Sequence, residues 1–176
     1  MIDPFQTMGV EARFDLDPDE LARRHRDLSR ALHPDRYAGA PAAERRLSLS
    51  RAIEVNDAFR VLKDPIRRAE ALLRRAGIPV GETAEPKPSP DLLMVMMERR
   101  EELGDARRRK DLAAVHALAE AIRGREREVL ASMGRQFAAS DPDTQKLAAV
   151  LPELGELRYL RRFLDEAAAI EEEFAP

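Results

Sequence analysis

Apolar residues recur along this chain at helical spacing. After Asp17-Pro18 they fall at Leu21, Leu28 and Leu32, with His25 between them, and after Pro41 at Leu49, Ile53, Phe59 and Leu62, with Asn56 in line. From about Lys110 they fall at Leu112, Val115, Leu118, Ile122, Val129, Met133 and Phe137, and from about Pro152 at Leu154, Leu157, Leu160, Leu164 and Ala167. Steps of three and four keep side chains on one side of a helix. No window alternates apolar and polar residues with β-branched enrichment over more than a few positions, so the predicted fold class is all-α.

Proline marks where the helices begin. Asp3-Pro4, Asp17-Pro18, Asp64-Pro65, Ser89-Pro90 and Asp141-Pro142 each set a capping side chain before a residue with no amide to satisfy, which predicts five helix starts. Asp17 also has Glu20 three residues on, as in a capping box. Between Gly77 and Pro90 lie Gly77, Gly81, Pro79, Pro86, Pro88 and Pro90, a stretch that cannot sustain a helix. The expected organisation is therefore an N-terminal helical module over residues 1–76, a stiff linker over 77–89 and a C-terminal helical module over 90–176.

Composition narrows the function classes. With no cysteine, disulfides, thiolate zinc sites and cysteine-ligated clusters are excluded, so a metal would need the 3 histidines. The 30 basic and 33 acidic side chains give a net charge of -3, too mild to imply nucleic-acid binding. No apolar run reaches the roughly 18 residues of a membrane span, and Met1-Ile2-Asp3-Pro4 lacks the opening blocks of a signal peptide. A soluble, cytoplasmic protein is expected.

Two segments carry candidate chemistry. Pro34 forces the helix beginning at Pro18 to end near His33, leaving His33 and Asp35 on a short connection before Pro41. Residues 21–32 of the preceding helix carry Arg23, Arg24, Arg26 and Arg30 against only Asp27, and spacing gathers Arg23, Arg26 and Arg30 into a basic ridge suited to an acidic protein surface. His33-Pro34-Asp35 can be read as a plain helix terminator, as a catalytic or metal pair, or as a recognition turn. Against the second reading, His25 and His116 have no obvious carboxylate or glycine-rich neighbourhood, and no nucleophile motif occurs.

The second segment is Asp91 to Leu103. Leu92, Met96 and Leu103 form a stripe that a bundle should bury; Leu93, Met94 and Met97 form another that is either further core or a binding face. Glu98 and Glu101 stand beside it, and methionines rimmed by carboxylates suit a protein partner. The basic run Arg107-Arg108-Arg109-Lys110 lacks interleaved aromatics and reads as a solvated loop, not a nucleic-acid site.

The N-terminal module resembles the J-domain, which activates seventy-kilodalton heat-shock chaperones, and within that class the HscB (Jac) co-chaperones of iron-sulfur cluster assembly. The resemblance rests on Phe14-Asp15-Leu16-Asp17, on His33-Pro34-Asp35-Arg36-Tyr37, on Ile53 to Pro65 with Asn56-Asp57-Ala58-Phe59, and on Arg68-Ala69-Glu70-Ala71-Leu72-Leu73. Residues 91–103 are similar to the first helix of that family's C-terminal bundle. Leu32, Arg36 and Ala71 depart from the family pattern, where an aromatic, a lysine and a tyrosine are common.

What the resemblance implies is a J-domain hairpin and a C-terminal three-helix bundle in an L-shaped two-domain arrangement. It implies no enzyme activity and no cofactor or metal. His33, Pro34, Asp35, Arg23, Arg24, Arg26, Arg30 and Arg36 would meet an HscA- or DnaK-type chaperone and stimulate its ATPase. Leu93, Met94, Met97, Glu98, Glu101 and Tyr159 would bind the IscU-type scaffold protein and deliver it for cluster assembly or transfer. The alternative is a J-protein serving a general DnaK-type chaperone with a different client; neither nucleic acid nor membrane is an expected partner. Lacking a thiol to hold a cluster, such a protein acts through its surfaces.

Overall fold

The computed structural model of the chain describes residues 2–81, 88–139 and 147–174. They are helical with no strand among them, and they fall into two compact units, Met1–Pro79 and Val80–Pro176. The expected helix start at Asp141-Pro142, and Pro86 of the expected linker, lie outside the described residues.

In the first unit, α1 spans Pro4–Met8, α2 Pro18–Ala31, α3 Ala42–Lys63 and α4 Pro65–Arg75. Each Asp-Pro pair acts as its chemistry predicts. The carboxylates of Asp3, Asp17 and Asp64 accept amides of the first turns of α1, α2 and α4, and proline leads each helix. Gly9 ends α1 with φ 61°, a left-handed cap that glycine adopts without Cβ strain.

The core of this unit gathers Phe5, Met8, Leu21, Val55, Ala58 and Leu62, with Leu16, Leu28, Leu32 and Phe59 packed against it. Here α3 departs from the expected phase. Leu49 and Ile53 are 53% and 54% exposed, and the buried line runs through Ser48, Val55, Ala58 and Leu62. The reason is that α1 and α2 both pack on α3, and the side facing them lies about one residue round from the apolar line through Leu49 and Ile53. Arg68 locks the α3–α4 corner: it donates from Nη1 to the Leu62 carbonyl at 2.7 Å, and its guanidinium lies 5.2 Å from the centre of the Phe14 ring. Burial lowers its pKa from the ordinary arginine value, against the raising effects of Asp15 and Asp64.

The second unit is a three-helix bundle of α5 (Pro90–Arg109), α6 (Leu112–Ala139) and α7 (Leu151–Glu173). Ser89 caps α5 through Leu92, and Lys110 ends it at φ 54°. The helix expected from about Lys110 begins at Leu112, where Asp111 accepts the Ala114 amide at 3.0 Å. Val115, Ala119, Ile122, Val129 and Met133 of α6 and Leu154, Leu157, Leu160, Phe163, Ala167 and Ile170 of α7 are buried.

Charged pairs fix how these helices align. Arg125 holds both carboxylate oxygens of Glu156, at 2.7 and 3.2 Å, and His116 meets Glu171 at 3.0 Å, so α6 and α7 run antiparallel. The hydrogen bonds to Glu156 raise the Arg125 pKa above its ordinary value, with Glu128 assisting and burial opposing. Arg100 meets Glu166 at 3.6 Å and Arg107 meets Glu173 at 2.8 Å. Both pairs step seven residues along both helices, which makes α5 and α7 parallel in a fixed register.

Candidate functional site

The turn between α2 and α3 is built from its own backbone demands. Leu32 caps α2, its amide reaching the Leu28 carbonyl. His33 then takes extended angles, φ −62° and ψ 134°, as a residue before proline must, and Pro34–Tyr37 close into one turn of 3-10 helix. His33 caps that turn with its own ring: Nδ1 accepts the Asp35 amide at 3.3 Å, and a carboxylate oxygen of Asp35 stands 3.4 Å from the same nitrogen. His33, Pro34, Asp35 and Arg36 are all exposed.

Behind the turn, Arg23, Arg26 and Arg30 are exposed and hold no carboxylate within 4 Å among the described residues. Arg24, expected to act with them, is also exposed. Its Nη1 reaches the Met8 carbonyl at 3.4 Å and lies where a Cβ on Gly9 would come within 2.9 Å, because position 24 turns toward α1.

Within the first unit His25 does not join His33. His25 bonds Asn56 at 2.8 Å and stacks on Phe59, while His116 belongs to the second unit. No group of three or more His, Asp or Glu poised for a metal ion occurs among the described residues.

Sequence spacing did not single out Ser48. It is 4% exposed, and its hydroxyl donates to the Leu32 carbonyl at 3.0 Å. The available signal was its heptad phase with Val55 and Leu62, a polar residue on a core line.

In the bundle, Met96 and Leu103 are buried and Leu92 half-buried, whereas Leu93, Met94 and Met97 are 38%, 61% and 71% exposed. Glu98 and Glu101 are exposed beside them. One more seven-residue step toward the N-termini, in the register set by Arg100 with Glu166, brings Leu93 of α5 level with Tyr159 of α7. Tyr159 is half-buried, with the Arg162 guanidinium 5.9 Å from its ring centre. Val95, 48% exposed, was not anticipated. Six apolar residues in succession, Leu92 to Met97, wrap every side of a helix, so burial of one stripe leaves the others in water.

Comparison with known proteins agrees with both halves. Residues 3–71 match the DnaJ domain and residues 88–168 the HSCB C-terminal oligomerisation domain. The co-chaperone protein HscB homolog of Neisseria meningitidis is 35% identical over 140 residues, covering 80% of this chain and 84% of its own. That of Bordetella parapertussis is 45% identical over 116 residues, 66% of this chain and 67% of its own. Among solved structures, chaperone HscB from Vibrio cholerae aligns with a TM-score of 0.85 at 30% identity over 99% of this chain and 100% of that one. Human co-chaperone HscB reaches the same TM-score at 23% identity, covering 97% and 83%, a likeness of fold. A J-domain hairpin with an exposed His-Pro-Asp turn, joined in one chain to this bundle, makes the protein a non-enzymatic J-domain co-chaperone with a partner of the seventy-kilodalton heat-shock class, and the chain belongs to the HscB co-chaperone family.

Proposed function

We propose that this co-chaperone binds an IscU-type iron-sulfur scaffold through its bundle and hands it to an HscA-type chaperone in the cytoplasm, stimulating that chaperone's ATPase. The carrying observation is the apolar face of Leu93, Met94 and Met97, left in water beside Glu98 and Glu101 and in register with Tyr159. An apolar patch of this kind marks a protein-binding site, and methionine adapts its shape to the partner. The turn His33, Pro34, Asp35 with Arg36 and the ridge of Arg23, Arg26 and Arg30 meets the chaperone. Carrying both surfaces in one chain raises the scaffold's effective concentration at the chaperone, to roughly millimolar for a short linker.

The test is ATP turnover by candidate chaperones with this protein, with scaffold and with both. A more than additive rise with an HscA-type chaperone is expected, and His33→Gln should abolish it while leaving scaffold binding intact. Stimulation of a general DnaK-type chaperone without any effect of the scaffold would replace this reading with a different client.

A further inference from the structure

We infer that Ser48 is a positioning residue for the His-Pro-Asp turn, holding the peptide plane that aims His33. The inference rests on the reading that this turn acts on the chaperone. The Leu32 carbonyl and the His33 amide belong to one peptide unit, so whatever fixes that oxygen also fixes the direction in which the chain enters the turn. On the amide side the restraint is weak, a 3.5 Å contact from the His33 amide to the Arg30 carbonyl. On the carbonyl side Ser48 donates at 3.0 Å from a site 4% exposed, where water competes little.

The anchor is rigid because of where it sits. Ser48 shares the buried side of α3 with Val55, Ala58 and Leu62, so its backbone is held by the core beneath. A helical serine has an alternative acceptor in the carbonyl four residues back; here the hydroxyl bridges to the neighbouring helix instead. Ser48 therefore biases the turn toward one conformer before any partner arrives.

A positioning role has its own kinetic signature. Losing the anchor lowers the fraction of molecules with a competent turn, which weakens apparent affinity for the chaperone without altering what the bound turn does. Ser48→Ala should therefore raise the concentration for half-maximal ATPase stimulation about fivefold, the effect of one net hydrogen bond, with the maximum kept. His33→Gln should lower the maximum.

The full chain is assayed with an HscA-type chaperone, and the His33 and Asp35 amides are followed by two-dimensional nitrogen–proton NMR without any partner. Ser48→Ala should shift or broaden both amides, Ser48→Thr should restore amides and half-maximal concentration, and Val55→Ala, which loosens the core but keeps the hydroxyl, should change both far less than Ser48→Ala does. Should Ser48→Ala fail to fold, Ser48→Cys, similar in size and a weak donor, takes its place. Unmoved amides with a wild-type half-maximal concentration would overturn the inference, as would an equal effect of Val55→Ala. If the wild type stimulates no chaperone, the functional reading fails, and the amide spectra alone then decide whether Ser48 holds the turn.

Discussion

His25 of α2 and Asn56 of α3 clasp the helical hairpin, Nε2 lying 2.8 Å from Oδ1 while the imidazole stacks on Phe59 with ring centres 4.1 Å apart. The same ring nitrogen has the Ser29 hydroxyl at 3.4 Å. One half-buried side chain thus combines a hydrogen bond with an aromatic contact at the middle of the pair, between the ridge and the core. Removing either His25 or Asn56 by alanine substitution should lower the local stability of α2 and α3 by about 1–2 kcal/mol, and the double substitution should cost clearly less than the two effects added. Amide hydrogen exchange of the full chain measures this unit separately from the bundle. Strictly additive effects would mean that the two side chains contribute independently.

The phase of α3 supplies a second prediction. Leu49 and Ile53 lie on its exposed side while Leu62 is fully buried. Leu49→Ser and Ile53→Ser should each change stability by no more than about 0.5 kcal/mol, whereas Leu62→Ala should cost about 2–5 kcal/mol through lost burial and the cavity left behind. Comparable losses at all three positions, read from the same exchange profile, would place Leu49 and Ile53 in a core after all.

Much of this architecture could be read from the chain because its signals are local. Asp3, Asp17, Asp64 and Ser89 cap helices where a capping residue before proline allows little else, and His33 must take extended angles before Pro34. Misses occurred where a neighbouring helix decides. Spacing alone allowed α3 to bury the line of Leu49 or that of Ser48, and the choice follows from α1 and α2 packing on one side. Asp111 caps α6 without a proline to announce it. Whether the second stripe of α5 meets water was undecidable from spacing, since the answer depends on how much of the α5 surface the neighbouring helices cover.

Because Leu93, Met94 and Met97 stand in water, their joint replacement by alanine should leave the bundle folded. Helical circular dichroism should persist and the melting temperature should change little, for alanine favours helices and little buried surface is lost. Scaffold affinity should fall at least tenfold, since exposed apolar anchors carry much of the energy of such contacts. Scaffold binding measured calorimetrically at wild-type strength would show that this face is plain surface, and a large drop in melting temperature would show that it is core.

Glu98 and Glu101 flank that face and should act mainly on the encounter. Exposed carboxylates attract a basic partner surface over about a Debye length, roughly 8 Å at physiological ionic strength, and contribute little once rim contacts are hydrated. Replacing both by glutamine preserves their shape and removes two charges, so the association rate with the scaffold should fall about threefold to tenfold at low salt while the dissociation rate changes less. The deficit should shrink as salt is raised, because the wild type loses its attraction and the variant has little to lose. Stopped-flow association at several ionic strengths tests this directly: an unchanged salt dependence in the variant would mean that the two carboxylates do not face the scaffold, and an effect confined to dissociation would place them inside the contact, desolvated and hydrogen-bonded, instead of at its rim.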